Sequence, residues 1–265
     1  MTKESIQAIA FDFGNTLCPW DEEQYWQVTH STVRRICAHA SGCDFDSALD
    51  IFMRIRREGY ARNLPRMLEN DLVAILAQTA EEVRGKPLSE ADLQGIVRGH
   101  EASFVEACQA PEGLHELLGR LSRKYKLAVA SNYPLSECIR LSLKELGIDR
   151  YFRLTIVSGD LGVIKPSRRI FDKLVSEMEV PAENMLFVGD DWVADVVGAY
   201  ASGMPCVQIV NSDSGRNPRT LEGVFGVHFR KALESPELRG WQEAKPLAVL
   251  NSVLELESWL EAESA

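Results

Sequence analysis

At 265 residues the chain suffices for one large domain or two modest ones, with a sizeable buried core. Its 45% hydrophobic and 26% charged residues are ordinary for a globular protein. A net charge of −10 argues against a general binder of nucleic acid or of anionic membrane, while leaving room for a local basic pocket.

The opening residues, MTKESIQAIAFDF, contain too short an apolar run for a signal peptide and no small-residue cleavage site. No run approaches the roughly 20 apolar residues that cross a bilayer. The six cysteines (18, 37, 43, 108, 138 and 206) are scattered and suggest no disulfide framework, which favours a reducing cytoplasm. Cys37, His39 and Cys43 cluster, but without a convincing zinc spacing.

The first element is an apolar run, Ile6 to Phe11, cut off by Asp12. Little polar alternation marks a strand buried on both faces. The flexible tripeptide Gly14-Asn15-Thr16 follows. In an open α/β sheet, chemistry sits beyond the carboxyl ends of such strands, and Asp12 stands there.

From Asp21 to about 110 the text turns helical. Tyr25, Val28, Thr32, Val33, Ile36, Cys37 and Ala40 repeat at three and four, as do Leu68, Leu72, Ile75, Leu76 and Thr79. Breaks fall at Ser41-Gly42, near Asn63-Leu64-Pro65 and at Gly85-Lys86-Pro87, and Ser89 to Asp92 has the form of a capping box. About four helices result. Arg54, Arg56, Arg57, Arg62 and Arg66 read mainly as a solvated face, though one or two could clamp a carboxylate or phosphate. His30 and His100 fall on helices and read as structural or exposed.

After Pro111-Glu112-Gly113 the chain alternates. Leu114, Leu117, Leu118 and Leu121 form a helical stripe; 126–130 is a buried strand ending in Ser131-Asn132. Helix and strand continue through 135–146, 152–158, 168–179, 185–190, a helix near 193–202 and a strand at 206–210. This rhythm implies parallel βαβ units, hence a doubly wound α/β sheet with an inserted α-helical bundle. Residues 211–245 break it: a surface excursion, with a possible short strand at Phe225 to Phe229 and a possible role in self-association. A last strand and closing helix occupy 246–260.

Four segments at strand ends carry chemistry: FDFGNTL (11–17), VASN (129–132), GVIKPSRRIF (162–171) and GDDWVAD (189–195), the last extended by GAYASGM (198–204). In this order they resemble motifs I to IV of the haloacid dehalogenase superfamily. The resemblance implies a Rossmann-like core, 1–17 with 111–265, and a C1-type helical cap, 18–110, acting as a lid. It implies that Asp12 is a nucleophile forming an aspartyl-phosphate, that Ser131 and Lys165 are catalytic, and that Asp12, the Gly14 carbonyl, Asp190 and Asp195 hold Mg²⁺. Asp195 would support either the metal or Lys165. Asn15, Thr16, Ser131, Asn132 and Lys165 would bind a small phosphorylated substrate. Monomer and homodimer both stay open.

One position departs from the pattern. Phosphatase members carry an aspartate two residues after the nucleophile as general acid/base; here Gly14 stands there. Losing such a group removes about 10²–10⁴ in rate. Three readings follow. The protein is a phosphohydrolase whose acid comes from elsewhere, such as Asp191 or a lid residue, or that takes substrates with good leaving groups. Alternatively it binds a phosphorylated ligand or partner without useful turnover. In the third it works at carbon, like the dehalogenases, which usually carry tyrosine there, or the phosphonate-cleaving members, which need a lid lysine. Lys86, the only lysine of the lid, lies awkwardly beside Pro87, and the complete metal motif argues against metal-free dehalogenation.

Overall fold

The computed structural model describes residues 3–210 and 231–262. Strand β1 (Ala8–Phe11) is buried along its whole length. Four helices follow: α1 (Glu22–Cys37), α2 (Phe45–Asn63), α3 (Leu72–Arg84) and α4 (Glu90–Ala107). The chain then alternates through α5 (Leu114–Lys124), β2 (Lys126–Ser131), α6 (Ser136–Glu145) and β3 (Leu154–Val157). The one-turn α7 (Ser158–Leu161), α8 (Arg168–Met178) and β4 (Met185–Gly189) come next. A π-helical turn, Trp192–Val197, runs into the one-turn α9 (Gly198–Ala201). Strands β5 (Cys206–Ile209) and β6 (Ala248–Leu250) and helix α10 (Leu256–Glu261) close the chain.

Among the described residues, six strands form one parallel sheet in the order β3-β2-β1-β4-β5-β6. Winding proceeds outward in both directions from β1 and β4, so the topological switch point lies between them. Alternate residues feed two cores. Ile9, Phe11, Leu127, Val129, Leu186 and Val188 pack with the leucine stripe of α5 on one face. Ala8, Ala10, Ala128, Ala130 and Phe187 pack with Ile170, Phe171 and Leu174 of α8 on the other. The small alanines let α8 approach closely, which a period-2 alternation of sizes encodes directly.

Helices α1–α4 bury a core of their own around Ile36, Phe52, Leu76 and Ile96. Their boundaries follow local chemistry. Asp21, Asp44, Asp71 and Ser89 each accept a backbone N–H at an N-terminus. Asp21 and Gln24 form a full capping box; at Ser89 only half the box forms, because the Asp92 carboxylate bonds the Ser89 hydroxyl. Gly85 ends α3 in the left-handed conformation.

Three expectations need correction or limitation. Cys37 and Cys43 are joined as a disulfide, because the turn after α1 brings their Cα atoms to 5.3 Å. The remaining four cysteines are free and buried. The helix expected near 193–202 begins as a π-helical turn, where Asp191 caps the first N–H groups. Of the 211–245 excursion, Ala232, Leu233, Leu238 and Ala244 pack against the α8 face of the sheet. The strand expected at 225–229 lies outside the described residues. No helix among the described residues is long and apolar enough to cross a membrane.

Candidate active site

The sheet register decides which side chains meet. Phe11 of β1 is level with Val129 of β2 and with Val188 of β4. Asp12 lies one residue past that line; Ser131 and Asp190 lie two past it. All three therefore stand on the carboxyl rim, with Asp12 and Asp190 on either side of the switch point. The Asp12 N–H continues the ladder by donating to the Val188 carbonyl, 2.8 Å. Its carboxylate is 13% exposed.

Lys165 reaches this rim from the segment between α7 and α8. Its ammonium, 1% exposed, donates to Asp12 Oδ1 and to Asp195 Oδ1, both at 2.7 Å. Burial works against the charge, but the two carboxylates outweigh it and raise the Lys165 pKa. The lysine is thus a fixed cation at the rim. Asp195 is fully buried, and its second oxygen accepts the Asp191 N–H, 2.9 Å. Gly189 makes room for it: a Cβ there would stand 2.3 Å from the Asp195 carboxyl.

Asp190 is half-buried, and its carboxylate makes no hydrogen bond among the described residues. Burial first, then the Asp12 and Asp195 charges, push its pKa well above the usual range. Carboxylate oxygens of Asp12, Asp190 and Asp195 lie within 4.8 Å of one another. A hard, all-oxygen donor set facing mutual repulsion fits a divalent cation such as Mg²⁺. Both Asp195 oxygens are already engaged, which leaves Asp12 and Asp190 as the available carboxylates.

The loop after Asp12 is tightly wound. Asn15 adopts φ of 55°, and its Oδ1 accepts the Trp20 N–H at 2.9 Å. Leu17 and Cys18 both donate to the Phe13 carbonyl. Thr16 Oγ1 is buried without a hydrogen-bond partner among the described residues. At Gly14 an added Cβ would meet nothing within 4 Å among the described residues. Ser131 lies at the β2 tip, and its side chain makes no hydrogen bond among the described residues. Asn132 spends both ends of its amide on the Lys165 backbone.

Asp191, weighed above as a replacement acid, turns its Oδ1 to the Val193 and Ala194 N–H groups at 2.8 and 2.7 Å. Lys86 is exposed in the turn between α3 and α4, where its carbonyl accepts from Arg84. Neither is brought to Asp12.

Several supporting residues had escaped the sequence reading. Gln208 Nε2 donates to the Asp190 carbonyl, 3.1 Å; the visible signal was one polar residue in the apolar run CVQIV. Leu68 and Val163 form an antiparallel bridge, and Glu69 accepts from the Ser158 hydroxyl. These contacts dock the end of α2 onto the segment leading to Lys165. On the other side, Thr32 gives its one hydroxyl proton to the Val28 carbonyl, so it accepts from His100 Nδ1 at 2.8 Å. His100 Nε2 then accepts from the Tyr133 hydroxyl at 2.9 Å. Burial, and after it the Arg56 charge, lowers this imidazole to about 4 and keeps it neutral.

Comparison with known proteins agrees with this geometry. The family described as haloacid dehalogenase-like hydrolase matches residues 6–203. A glyceraldehyde 3-phosphate phosphatase of Methanopyrus kandleri is 26% identical over 77% of this chain and 84% of that protein. The fold is shared with a 2-haloacid dehalogenase from Pseudomonas syringae pv. Tomato, at TM-score 0.66 and 17% identity over 96% of this chain and 98% of that one. It is shared too with a HAD phosphatase from Thermococcus onnurineus, at TM-score 0.63 and 19% identity over 98% of this chain and 100% of that one. With strand order, rim carboxylates and family match in accord, the chain belongs to the haloacid dehalogenase-like hydrolases.

Proposed function

We propose that this hydrolase is a Mg²⁺-dependent phosphohydrolase acting on a small phosphorylated metabolite through an aspartyl-phosphate on Asp12. The observation that carries the reading is the Lys165 ammonium held between Asp12 and Asp195, with Asp190 beside them. A loose phosphoryl-transfer transition state asks mainly for positioning and charge neutralisation, which this cluster supplies. The glyceraldehyde 3-phosphate phosphatase activity of the M. kandleri relative supports the substrate class.

In this reading a carboxylate oxygen of Asp12 attacks phosphorus, and the bond to the leaving oxygen breaks with its electron pair staying on that oxygen. Water then attacks the same phosphorus, releasing inorganic phosphate and restoring the carboxylate. Lys165 and the Ser131 hydroxyl face the equatorial phosphoryl oxygens. Thr16 closes the loop beside them. Asp195 and Asn132 position Lys165. Asp12, Asp190 and the Gly14 carbonyl would hold Mg²⁺, which when bound offsets the charge shared by phosphoryl group and carboxylates. The helices of 18–110 form a lid on a core of 1–17 and 111–265. A cytoplasmic location belongs to the same proposal; the free buried thiols support it, and the Cys37–Cys43 disulfide does not.

Because Gly14 carries no proton and Asp191 is committed to a cap, the rate depends steeply on the leaving group. Steady-state hydrolysis of an aryl and an alkyl phosphate with Mg²⁺, with Asp12→Asn as the blank, tests this. Aryl phosphate turns over faster by about 10²-fold or more. Equal rates would reveal a working acid, and no Asp12-dependent turnover of either would sink the reading. The same missing acid favours one alternative, a protein that binds a phosphorylated ligand without useful turnover. Tight binding of beryllofluoride with no turnover would single it out.

A further inference from the structure

Of the five arginines between 54 and 66, four face outward. Arg54 is ion-paired with Glu58 and Glu82, Arg57 donates to the Met53 carbonyl, and Arg62 and Arg66 are exposed. Arg56 turns inward. Its guanidinium carbon stands 5.5, 5.3 and 5.7 Å from the ring centres of Tyr25, Phe52 and Tyr60. Nη1 donates to the Tyr25 hydroxyl at 3.3 Å and Nη2 to the Tyr60 hydroxyl at 3.2 Å. No carboxylate among the described residues lies within ion-pair reach of it.

The place of this cation matters as much as its isolation. Its charge is felt at His100 and at Tyr133, the two residues that join α4 to the loop after β2. Tyr133 is two residues past Ser131. Arg56 therefore lies within electrostatic reach of the contact between α4 and the loop that follows Ser131 and Asn132. An always-charged side chain kept half-buried, with phenols and ring faces as its company among the described residues, has no anion there to answer it. The two phenols leave N–H groups of the fork over, and the flanking rings fix its plane, which is the preparation a planar carboxylate or a phosphate requires.

We infer that Arg56, held by Tyr25 and Tyr60, receives a second anionic group of the substrate, remote from the phosphoryl group that Asp12 takes. The inference rests on the phosphohydrolase reading and narrows it to substrates with two anionic ends. The second group is a carboxylate or a phosphate, and two matched pairs separate these sources: 3-phosphoglycerate against glycerol 3-phosphate, and fructose 1,6-bisphosphate against fructose 6-phosphate.

The measurement is kcat/KM for each compound with Mg²⁺. In at least one pair the doubly anionic member is preferred by about 10- to 100-fold. Arg56→Gln abolishes that preference by raising KM, leaving the singly anionic member unchanged and so proving the site intact; Arg56→Lys keeps part of it. No preference in either pair, or an equal loss for both members, overturns the inference. Absence of Asp12-dependent turnover that extends to an aryl phosphate would be a failure of the phosphohydrolase reading instead. Calorimetry with the same compounds then decides: tighter binding of a doubly anionic compound that Arg56→Gln loses upholds the subsite, and its absence removes it.

Discussion

The Asn132 side chain brackets the backbone of Lys165: its Oδ1 accepts the Lys165 N–H at 2.7 Å, and its Nδ2 donates to the Lys165 carbonyl at 3.0 Å. Two bonds from one planar amide fix both position and direction of a segment 33 residues away in sequence. The lysine then has one path to the rim, ending between Asp12 and Asp195. The Asn132 amide thus aims the Lys165 ammonium at the rim.

Asn132→Leu therefore removes two hydrogen bonds and strands two Lys165 backbone groups. Destabilisation of about 2–4 kcal/mol follows, read as a shift in the urea midpoint. In variant protein that remains folded, kcat falls at least tenfold with little change in KM, and Asn132→Asp, which keeps the acceptor, loses less. A normal kcat with a raised KM would return Asn132 to the substrate.

Gly14 leaves a vacancy where the phosphatase pattern has an acid. An added Cβ meets nothing within 4 Å among the described residues, and the backbone there is outside the left-handed region. Gly14→Asp is accordingly tolerated and restores a proton donor. Alkyl phosphate hydrolysis rises by about 10²–10⁴-fold, aryl phosphate hydrolysis rises less, and the dependence of rate on leaving-group pKa flattens. An unchanged slope across a series of phosphate esters would mean that an acid is already supplied from another position.

His100 links stability to pH. Its pKa is lowered from 6.5 to about 4, first by burial and then by Arg56, so the folded state holds it neutral. Above pH 6.5 both folded and unfolded chains carry the neutral ring and it costs nothing. As pH falls from 6.5 toward 4, the unfolded chain takes up a proton that the folded one refuses, and stability drops by about 3 kcal/mol in total. Subtracting urea-denaturation curves of His100→Gln from those of the wild type across this window isolates the effect. A difference that stays flat with pH would show that the imidazole is protonated in the fold.

Much of the architecture is local information. Apolar runs ended by a charge or hydroxyl marked β1, β2 and β4 within a residue or two, and breaks at 41–42, 63–65 and 85–87 with the capping-box pattern at Ser89 separated the four inserted helices. The same runs placed Asp12, Ser131 and Asp190 at strand ends, because a strand's burial stops where its side chains must meet water. The Cys37–Cys43 pair escaped this logic, since scattered cysteines say nothing of which turn brings two Cα atoms to 5.3 Å.

By itself the sequence determined which segments are strands, the alternation that makes the sheet parallel, and the residue types at each tip. Tertiary structure alone decided how those side chains are employed: Asn15 as a strut for its loop, Asn132 as a bracket, Asp191 as a cap, Asp195 as the buried partner of Lys165, and Arg56, among five similar arginines, as the one turned in between Tyr25 and Tyr60. The reason is physical. Burial patterns are written in neighbouring residues, whereas a hydrogen bond or an unanswered charge depends on sheet register and helix docking, which bring together atoms that the chain holds far apart.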